Sequence, residues 1–510
     1  MAGPDAGLAQ YMTEVLERRA VEKTARGGLA NMAGSALAGG TGVVVTWIAA
    51  RSLGAEQAGA FFAATAAFVL TGGLAKLGTQ TGLVYWPARL RTTGRAHLLG
   101  ACLRTGLLPV LVLSVLLAAL MWLAAPQIAA ATARESPAVV GAHTAGIRML
   151  AVFLPLQALT DALLTATRGY RAMRPTVLYD RVLRSALQLV LVAWAGVAAG
   201  SLAMFACAWA APYLPVTVLA AYALRKVYRA GKPAGVTTHP AERRALRREF
   251  WQFTGPRALA SVAQLALQRV DVLLVALLGG LAPAAVYAVA GRFVVLIQFA
   301  NQGVSQSVQP RLAEALAAGD LAAAKRLYQT ATGWLVLVTW PICLLVIVFA
   351  PVYLRLFGAG YAAGAPVVLV LAGAMLVATG CGMVDMVLAM AGRTSWNLVN
   401  VLLALAVTVA LDVLLIPRLG ALGAALGLAG ALLVNNLLPL IQVGRSAGLH
   451  PFGPGTRAAA LLSVTCFGVL PHVAGPAMGL ALGGPAFLAG AWLLRDRLAL
   501  KAFTSSRRTS

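Results

Sequence analysis

Charge is scarce in this chain, and negative charge is scarcer. Only 11% of the 510 residues are charged and only 16 are acidic, whereas an ordinary soluble domain is about 25% charged. With 60% hydrophobic residues and a mean hydropathy of +0.81, a soluble fold of this length could not cover its apolar surface. A soluble enzyme and a disordered chain are thereby excluded. Cysteine is nearly missing as well. Cys102, Cys207, Cys343, Cys381 and Cys466 lie singly in or beside apolar runs, with no CxxC pair and no nearby histidine, which excludes a secreted disulfide scaffold. The five histidines (His97, His143, His239, His450, His472) fall mostly in loops or at span ends. They show no metal-ligand spacing and no Ser/His/Asp arrangement, so the sequence offers no catalytic group, no metal site and no cofactor.

What the chain does have is long apolar runs. About 20 such residues cross about 30 Å of hydrocarbon, and the sequence contains some fourteen: 28–50, 58–80, 98–125, 143–167, 176–199, 201–224, 250–278, 283–308, 328–350, 362–390, 395–416, 420–443, 457–476 and 478–494. The predicted fold is an all-α polytopic membrane protein. The polar start, with Glu14, Glu17, Arg18, Arg19, Glu22 and Lys23, shows no cleavable signal peptide. The net charge of +25 is read as sidedness and not as an affinity for nucleic acid. With the N-terminus inside, the inner segments hold 28 Lys and Arg and the outer loops only four (Arg51, Arg134, Arg355, Arg418), as the positive-inside rule requires. Both termini are expected in the cytoplasm of a bacterial plasma membrane.

The chain divides into a cytoplasmic segment (1–27), a six-helix bundle (28–224), a basic linker (225–249), a second six-helix bundle (250–444), two further helices (445–494) and a basic tail (495–510). The linker, with Arg243, Arg244, Arg247 and Arg248, reads as a topology anchor that touches anionic lipid. The two bundles echo each other. Leu53-Gly54-Ala55 through Phe61 parallels Gly279-Gly280-Leu281 through Tyr287, 226 positions later. Pro87 and Arg89 parallel Pro310 and Arg311. Asp161 precedes Arg168-Gly169 as Asp385 precedes Gly392-Arg393. Because six spans is an even number, both copies insert with the same orientation, which predicts parallel repeats around a central cavity.

Polar side chains within spans are costly and mark protein-facing or water-filled surfaces. Arg257, Ser261, Gln264, Gln268 and Asp271 fall within one helical sector of span 7. Span 8 repeats the pattern with Gln298, Asn301, Gln302, Ser305, Gln306 and Gln309, and span 2 offers Thr65, Lys76 and Gln80. Such rows predict a wet, cationic chamber. Lys76 and Arg257 are the candidate phosphate-binding residues, and Gln264, Gln268, Gln302 and Gln306 the candidate hydroxyl-binding ones. Arg269 and Arg292 lie off these sectors, leaving a cavity position, an ion pair and an interfacial position open. Asp161, Asp385 and Asp271 are candidate coupling residues, although Asp161 and Asp385 read more readily as local caps or as ion-pair partners of Arg168 and Arg393. Asp180 and Asp412 are read as structural.

These residues also carry a resemblance. Arg51-Ser52-Leu53-Gly54-Ala55-Glu56-Gln57-Ala58-Gly59 resembles the first outer turn of bacterial polysaccharide (O-antigen-type) flippases, a family of the multidrug/oligosaccharidyl-lipid/polysaccharide exporter superfamily. Gln309-Pro310-Arg311-Leu312 with Gly319-Asp320 is similar to an inner loop of that family. Gly392-Arg393 with Asn397 and Asn400, then Leu415-Ile416-Pro417-Arg418-Leu419-Gly420-Ala421-Leu422-Gly423, is the most specific stretch. The resemblance implies two six-helix bundles whose first two helices line a cavity. It also implies movement of an undecaprenyl-pyrophosphate-linked oligosaccharide from inner to outer leaflet, with membrane lipids and a polysaccharide polymerase or glycosyltransferase as partners. A lipid II flippase and a cation- or proton-coupled multidrug antiporter are the alternatives on the same fold. Span 1 has no charge between Asn31 and Ala50, whereas lipid II flippases place arginines there.

Overall fold

The computed structural model describes residues 4–230 and 239–498, with side chains from Gly34 onward except Thr394. Expectations resting on Asn31, on linker residues 231–238 and on the tail beyond 498 lie outside the described residues. Among the described residues the chain is helical, without strands. The first half contains α1 (Pro4–Ala75), α2 (Thr79–Thr92), α3 (Leu99–Thr132), α4 (Val140–Gly169), α5 (Ser185–Val197), α6 (Leu202–Ala210) and α7 (Tyr213–Ala230). The second contains α8 (Pro240–Leu278), α9 (Leu281–Ala290), α10 (Phe293–Ala317), α11 (Leu321–Val348), α12 (Ala350–Phe357), α13 (Ala365–Gly380), α14 (Val384–Met390), α15 (Thr394–Leu419) and α16 (Ala421–Ala447). Then follow α17 (Pro454–Ser463), α18 (Leu470–Ala474) and α19 (Pro476–Leu493). Helix starts follow local chemistry: Pro240, Pro454 and Pro476 occupy first turns, where a missing N–H costs nothing. The Asp320 carboxylate accepts the Ala323 N–H at 2.8 Å to open α11.

Among the described residues eleven stretches are long and apolar enough to cross a membrane, or twelve if the bent pair α9–α10 is one span. The fourteen expected from hydropathy exceed this number at two places. The stretch Gly34–Thr92 holds two expected spans, separated only by Gly54, whose backbone is non-helical (φ 74°, ψ 173°). Gly59 lies against Leu281 at the start of α9, and Gly39 against Phe299 in α10. Thr46 and Phe62, each eight residues from Gly54, line one small cavity, so the chain turns back at Gly54. The expected span 176–199 is divided between a π-helical stretch, Thr176–Arg184, and the short α5.

The internal repeat is visible in the backbone. Left-handed residues recur in matched order: Gly54 with Gly280 (φ 74° and 90°) and Gly94 with Gly319 (72° and 73°). Arg171 with Gly392 (62° and 78°) and Ala199 with Gly420 (49° and 54°) complete the series. The offsets are 226, 225, 221 and 221 residues. Gly54 and Gly280 also share ψ (173° and 175°), a conformation open essentially only to glycine.

The bundles pack differently at their two ends. At the end holding Gly54 and Gly280 they share one core: Ala58, Phe61, Phe205 and Leu202 of the first with Leu281, Ala284, Ala285 and Leu371 of the second. At the opposite, Arg-rich end the cores are separate. One joins Leu83, Leu90, Leu98 and Leu164 to Leu246 and Phe250 of α8. The other gathers Val308, Leu312, Tyr328, Val387 and Val443. α8 therefore begins against the first bundle and ends in the core common to both. Large apolar side chains such as Leu123 (70% exposed) and Val197 (90%) cover the outer faces, as a protein solvated by lipid requires. The chain is a multi-pass membrane protein.

Candidate functional site

Bordering the shared core, between the bundles, lies a cavity of about 160 Å³. α1 contributes Thr46 on one side of the Gly54 turn and Phe62 and Thr65 on the other. α5 and α6 contribute Gln188 and Trp209, α8 contributes Arg269, and Arg292 enters from the break between α9 and α10. The polar wall is held in place by its own helices. Thr46 Oγ1 donates to the Gly42 carbonyl at 2.8 Å, Thr65 Oγ1 to the Phe62 carbonyl at 3.0 Å, and Gln188 Nε2 to the Trp209 carbonyl at 3.0 Å.

The two arginines define the site's sign. Nε of Arg269 and Nε of Arg292 are buried without a hydrogen-bond partner among the described residues. Among the described residues no ion pair within 4.0 Å engages either guanidinium, whereas Lys76, Arg95, Arg181 and Arg184 all have one. The Arg292 guanidinium lies 5.9 Å from the centre of the Phe62 ring. Asp271, two residues from Arg269, is 5% exposed, and its oxygens are engaged by the Tyr287 hydroxyl and the Val272 N–H. Each unpaired charge in a membrane span costs about 2.5–3.5 kcal/mol on insertion scales. An anion in the cavity would offset that cost.

None of the candidate phosphate-binding, hydroxyl-binding and coupling residues lines this cavity; they fall in three groups elsewhere. Arg257, Ser261, Gln264 and Gln268 form one exposed stripe on α8, which runs up to buried Asp271. Gln298, Gln302, Gln306 and Gln309 form a second exposed stripe on α10. Lys76 is not on a helix face. It sits in the break between α1 and α2, followed by two left-handed residues, Leu77 and Gly78, and its Nζ donates to Asp161 Oδ2 at 2.7 Å. A Cβ on Gly78 would meet Ala258 Cα at 2.5 Å, so the backbones at Lys76 and Arg257 run side by side. Their side chains have different partners. Arg257 donates to the Phe253 carbonyl at 2.8 Å and stacks on that ring at 3.9 Å.

The ion pairs expected from sequence spacing are replaced by others. Arg168 donates to Thr165 Oγ1 at 2.8 Å, leaving Asp161 to Lys76. Arg393 lies 4.3 Å over the Trp396 ring, and Asp385 sits exposed in the first turn of α14. Asp180 pairs with Arg184 at 2.7 Å. Sequence reasoning left the placement of Arg269 and Arg292 open because both lie off the polar sectors. The chain bends by 40° at Gly291–Arg292, which turns Arg292 into the interface. A glycine directly before an arginine within an apolar span was the available signal.

A MatE family model matches residues 256–415, from α8 into α15. Among solved structures, "Lipid II flippase MurJ, inward closed conformation" superposes with a TM-score of 0.72 at 12% identity, covering 92% of this chain and 99% of that one. The fold is that of the MOP-superfamily transporters. An inward-facing multidrug resistance MATE family transporter of the MOP superfamily follows at TM-score 0.62 and 16% identity, covering 81% of this chain and 95% of that one. A MOP superfamily transporter from Pyrococcus furiosus, whose description notes a reversed polarity of the binding pocket, gives 0.54 at 16% identity over 82% and 95%. No curated protein sequence matches the chain. In this MOP fold the cavity with Arg269 and Arg292 lies where two repeat-related bundles meet.

Proposed function

We propose that the chain is a flippase that moves an anionic lipid-linked saccharide across a bacterial plasma membrane by alternating access. The observation that carries this reading is the pair of half-buried arginines, Arg269 and Arg292, whose Nε atoms are buried without partners and which face an inter-bundle cavity with no carboxylate paired to them among the described residues. Guanidinium groups suit phosphate oxygens. The amide stripes, Gln264 and Gln268 on α8 and Gln302 and Gln306 on α10, suit hydroxyl groups because amides both donate and accept. An undecaprenyl-pyrophosphate-linked oligosaccharide combines both needs, and its prenyl tail remains in the lipid. The Arg-rich end, where the two cores are separate, is the cytoplasmic opening on this reading. Outward movement of the anion is favoured by about 2.3 kcal/mol per charge per 100 mV of membrane potential, so two phosphate charges need no obligatory coupling ion. Lys76 and Arg257 take a secondary role, as the first cations met from the cytoplasmic side.

The test is Arg269→Gln with Arg292→Gln, assayed by exposure of lipid-linked saccharide at the outer leaflet. Loss of one charge-assisted contact costs about 1.5–3 kcal/mol, so each single variant should slow flipping about tenfold or more and the pair should abolish it. Wild-type rates in the double variant, with normal protein level, refute the reading. A cation-coupled antiporter is the second reading, favoured by Asp161 beside the broken helix, 28% exposed. It requires resistance to cationic dyes that is lost in Asp161→Asn.

A further inference from the structure

We infer that a groove between the Arg-rich ends of α15 and α16 binds an anionic glycerophospholipid. The groove has a volume of about 390 Å³ and is lined by Trp396, Leu438, Ile441, Gln442, Arg445 and Ser446, none of which lines the central cavity. Its head is cationic. Arg445 is exposed in the last turn of α16, and Arg393 lies 4.3 Å over the Trp396 ring. Neither arginine has a carboxylate within 4.0 Å among the described residues. The start of α15 and the end of α16 meet here, so their opposed backbone dipoles offset each other and the guanidinium charges decide the sign.

Below the head the lining is apolar and continuous with the lipid-facing surface. Leu433, Leu437 and Ile441, spaced by four on α16, are 37%, 38% and 49% exposed. Val399 and Leu403, on the same face of α15 as Trp396 by spacing, are 59% and 44% exposed. Eight residues of helix give this stripe a length of about 12 Å, close to the depth of one leaflet of a hydrocarbon core about 30 Å thick. The floor is fixed. Gln442 and fully buried Asn400 exchange two amide hydrogen bonds, at 2.8 and 3.0 Å, which locks the helix crossing. An indole at the interface, two cations above and an acyl-length stripe below match a phospholipid with a negative headgroup. A free phosphate would satisfy only the arginines.

The groove supplies its own reporter, because Trp396 is part of the wall. The experiment uses the full chain in neutral detergent, titrated with phosphatidylglycerol brominated on its acyl chains. The component of tryptophan quenching that disappears in Trp396→Phe isolates this site from the nine other tryptophans. Each arginine near a membrane surface contributes about fivefold in affinity for an anionic lipid. Arg445→Gln should therefore raise the half-quenching concentration about fivefold, and the Arg393→Gln/Arg445→Gln pair about 25-fold. Arg445→Lys should stay near wild type. The inference is overturned if brominated phosphatidylcholine quenches Trp396 equally, or if Arg445→Gln leaves the curve unmoved. It is equally overturned if inorganic phosphate or deacylated glycerophosphoglycerol displaces the brominated lipid, because the groove would then hold an anion without needing its chains.

Discussion

Gly59→Ala should open the end of the molecule that is now closed. Gly59 follows the Gly54 turn and packs against the start of α9. A Cβ there would lie 1.8 Å from the Leu281 carbonyl oxygen, 2.6 Å from its carbon and 3.1 Å from its Cα. All three atoms are backbone, so no rotamer change relieves the clash and α9 itself must move away. The surrounding core is close-packed, with Ala58, Ala60, Phe61, Ala284 and Ala285 nearly or fully buried. Overpacking such a site costs about 1–3 kcal/mol, and the cost falls on the state with this end closed. The closed-to-open ratio should fall by about 5- to 150-fold. The assay is labelling of a Thr65→Cys reporter in the cavity wall by a membrane-impermeant maleimide, in a background with the half-buried Cys207 replaced by Ser. Gly82→Ala is the control at the opposite end. Its Cβ would meet Thr254 Oγ1 at 2.4 Å and the Phe250 ring at 2.7 Å, side-chain atoms that can yield, and it should not raise labelling from the Gly54 side. Unchanged Thr65→Cys labelling in the Gly59→Ala protein, with unchanged thermal stability, would refute the claim that this contact holds the end shut.

Two further outcomes follow from breaks in the spans. The Lys76–Asp161 pair is partly solvated (15% and 28% exposed), so Lys76→Gln or Asp161→Asn alone should destabilise by about 1–3 kcal/mol, less than a fully buried pair. The double variant should recover about 1–2 kcal/mol of the summed loss in a thermal-unfolding cycle; simple additivity would show that the pair is not coupled. Gly382→Ala places a Cβ 2.2 Å from Thr332 Oγ1 at a φ of +69°. Left-handed backbone alone costs about 1–2 kcal/mol for a residue with a side chain, so the melting temperature should fall. Adding Thr332→Ala should restore only the steric part of that loss.

The membrane class, the doubled bundle and the polar stripes were legible in the sequence because each rests on a periodic or compositional signal. Gln264 and Gln268, and Gln302 and Gln306, share a face by spacing alone, and their exposure on α8 and α10 agrees with that pattern. Lys76 was legible as a membrane-depth cation but not as part of a break. No proline marks that position, and Leu77 adopts φ 50° without any cue in its side chain. Its partner Asp161 lies 85 residues away, beyond the reach of local spacing, which pointed instead to Arg168. Arg292 escaped because a helical wheel is valid only while the axis is straight, and the axis bends between α9 and α10; Arg269 lies on the continuous α8 beside the polar sector, and a wheel does not say which face meets the neighbouring helices. The groove beside Trp396 depends on how two helices cross, which neither helix encodes alone.

The matched left-handed turns carry one more implication. Where the second half uses Gly392, the first half uses Arg171 at a similar φ, and both turns close with the same hydrogen bond, from Ala172 N to the Thr167 carbonyl and from Arg393 N to the Leu388 carbonyl. The side chain has diverged at this corner while the peptide geometry has not, so the ancestry of the two halves is kept here in dihedral angles and not in letters. The first half bears about 1–2 kcal/mol of steric tension at that corner that its sibling escapes, a built-in inequality between two bodies that otherwise share one plan.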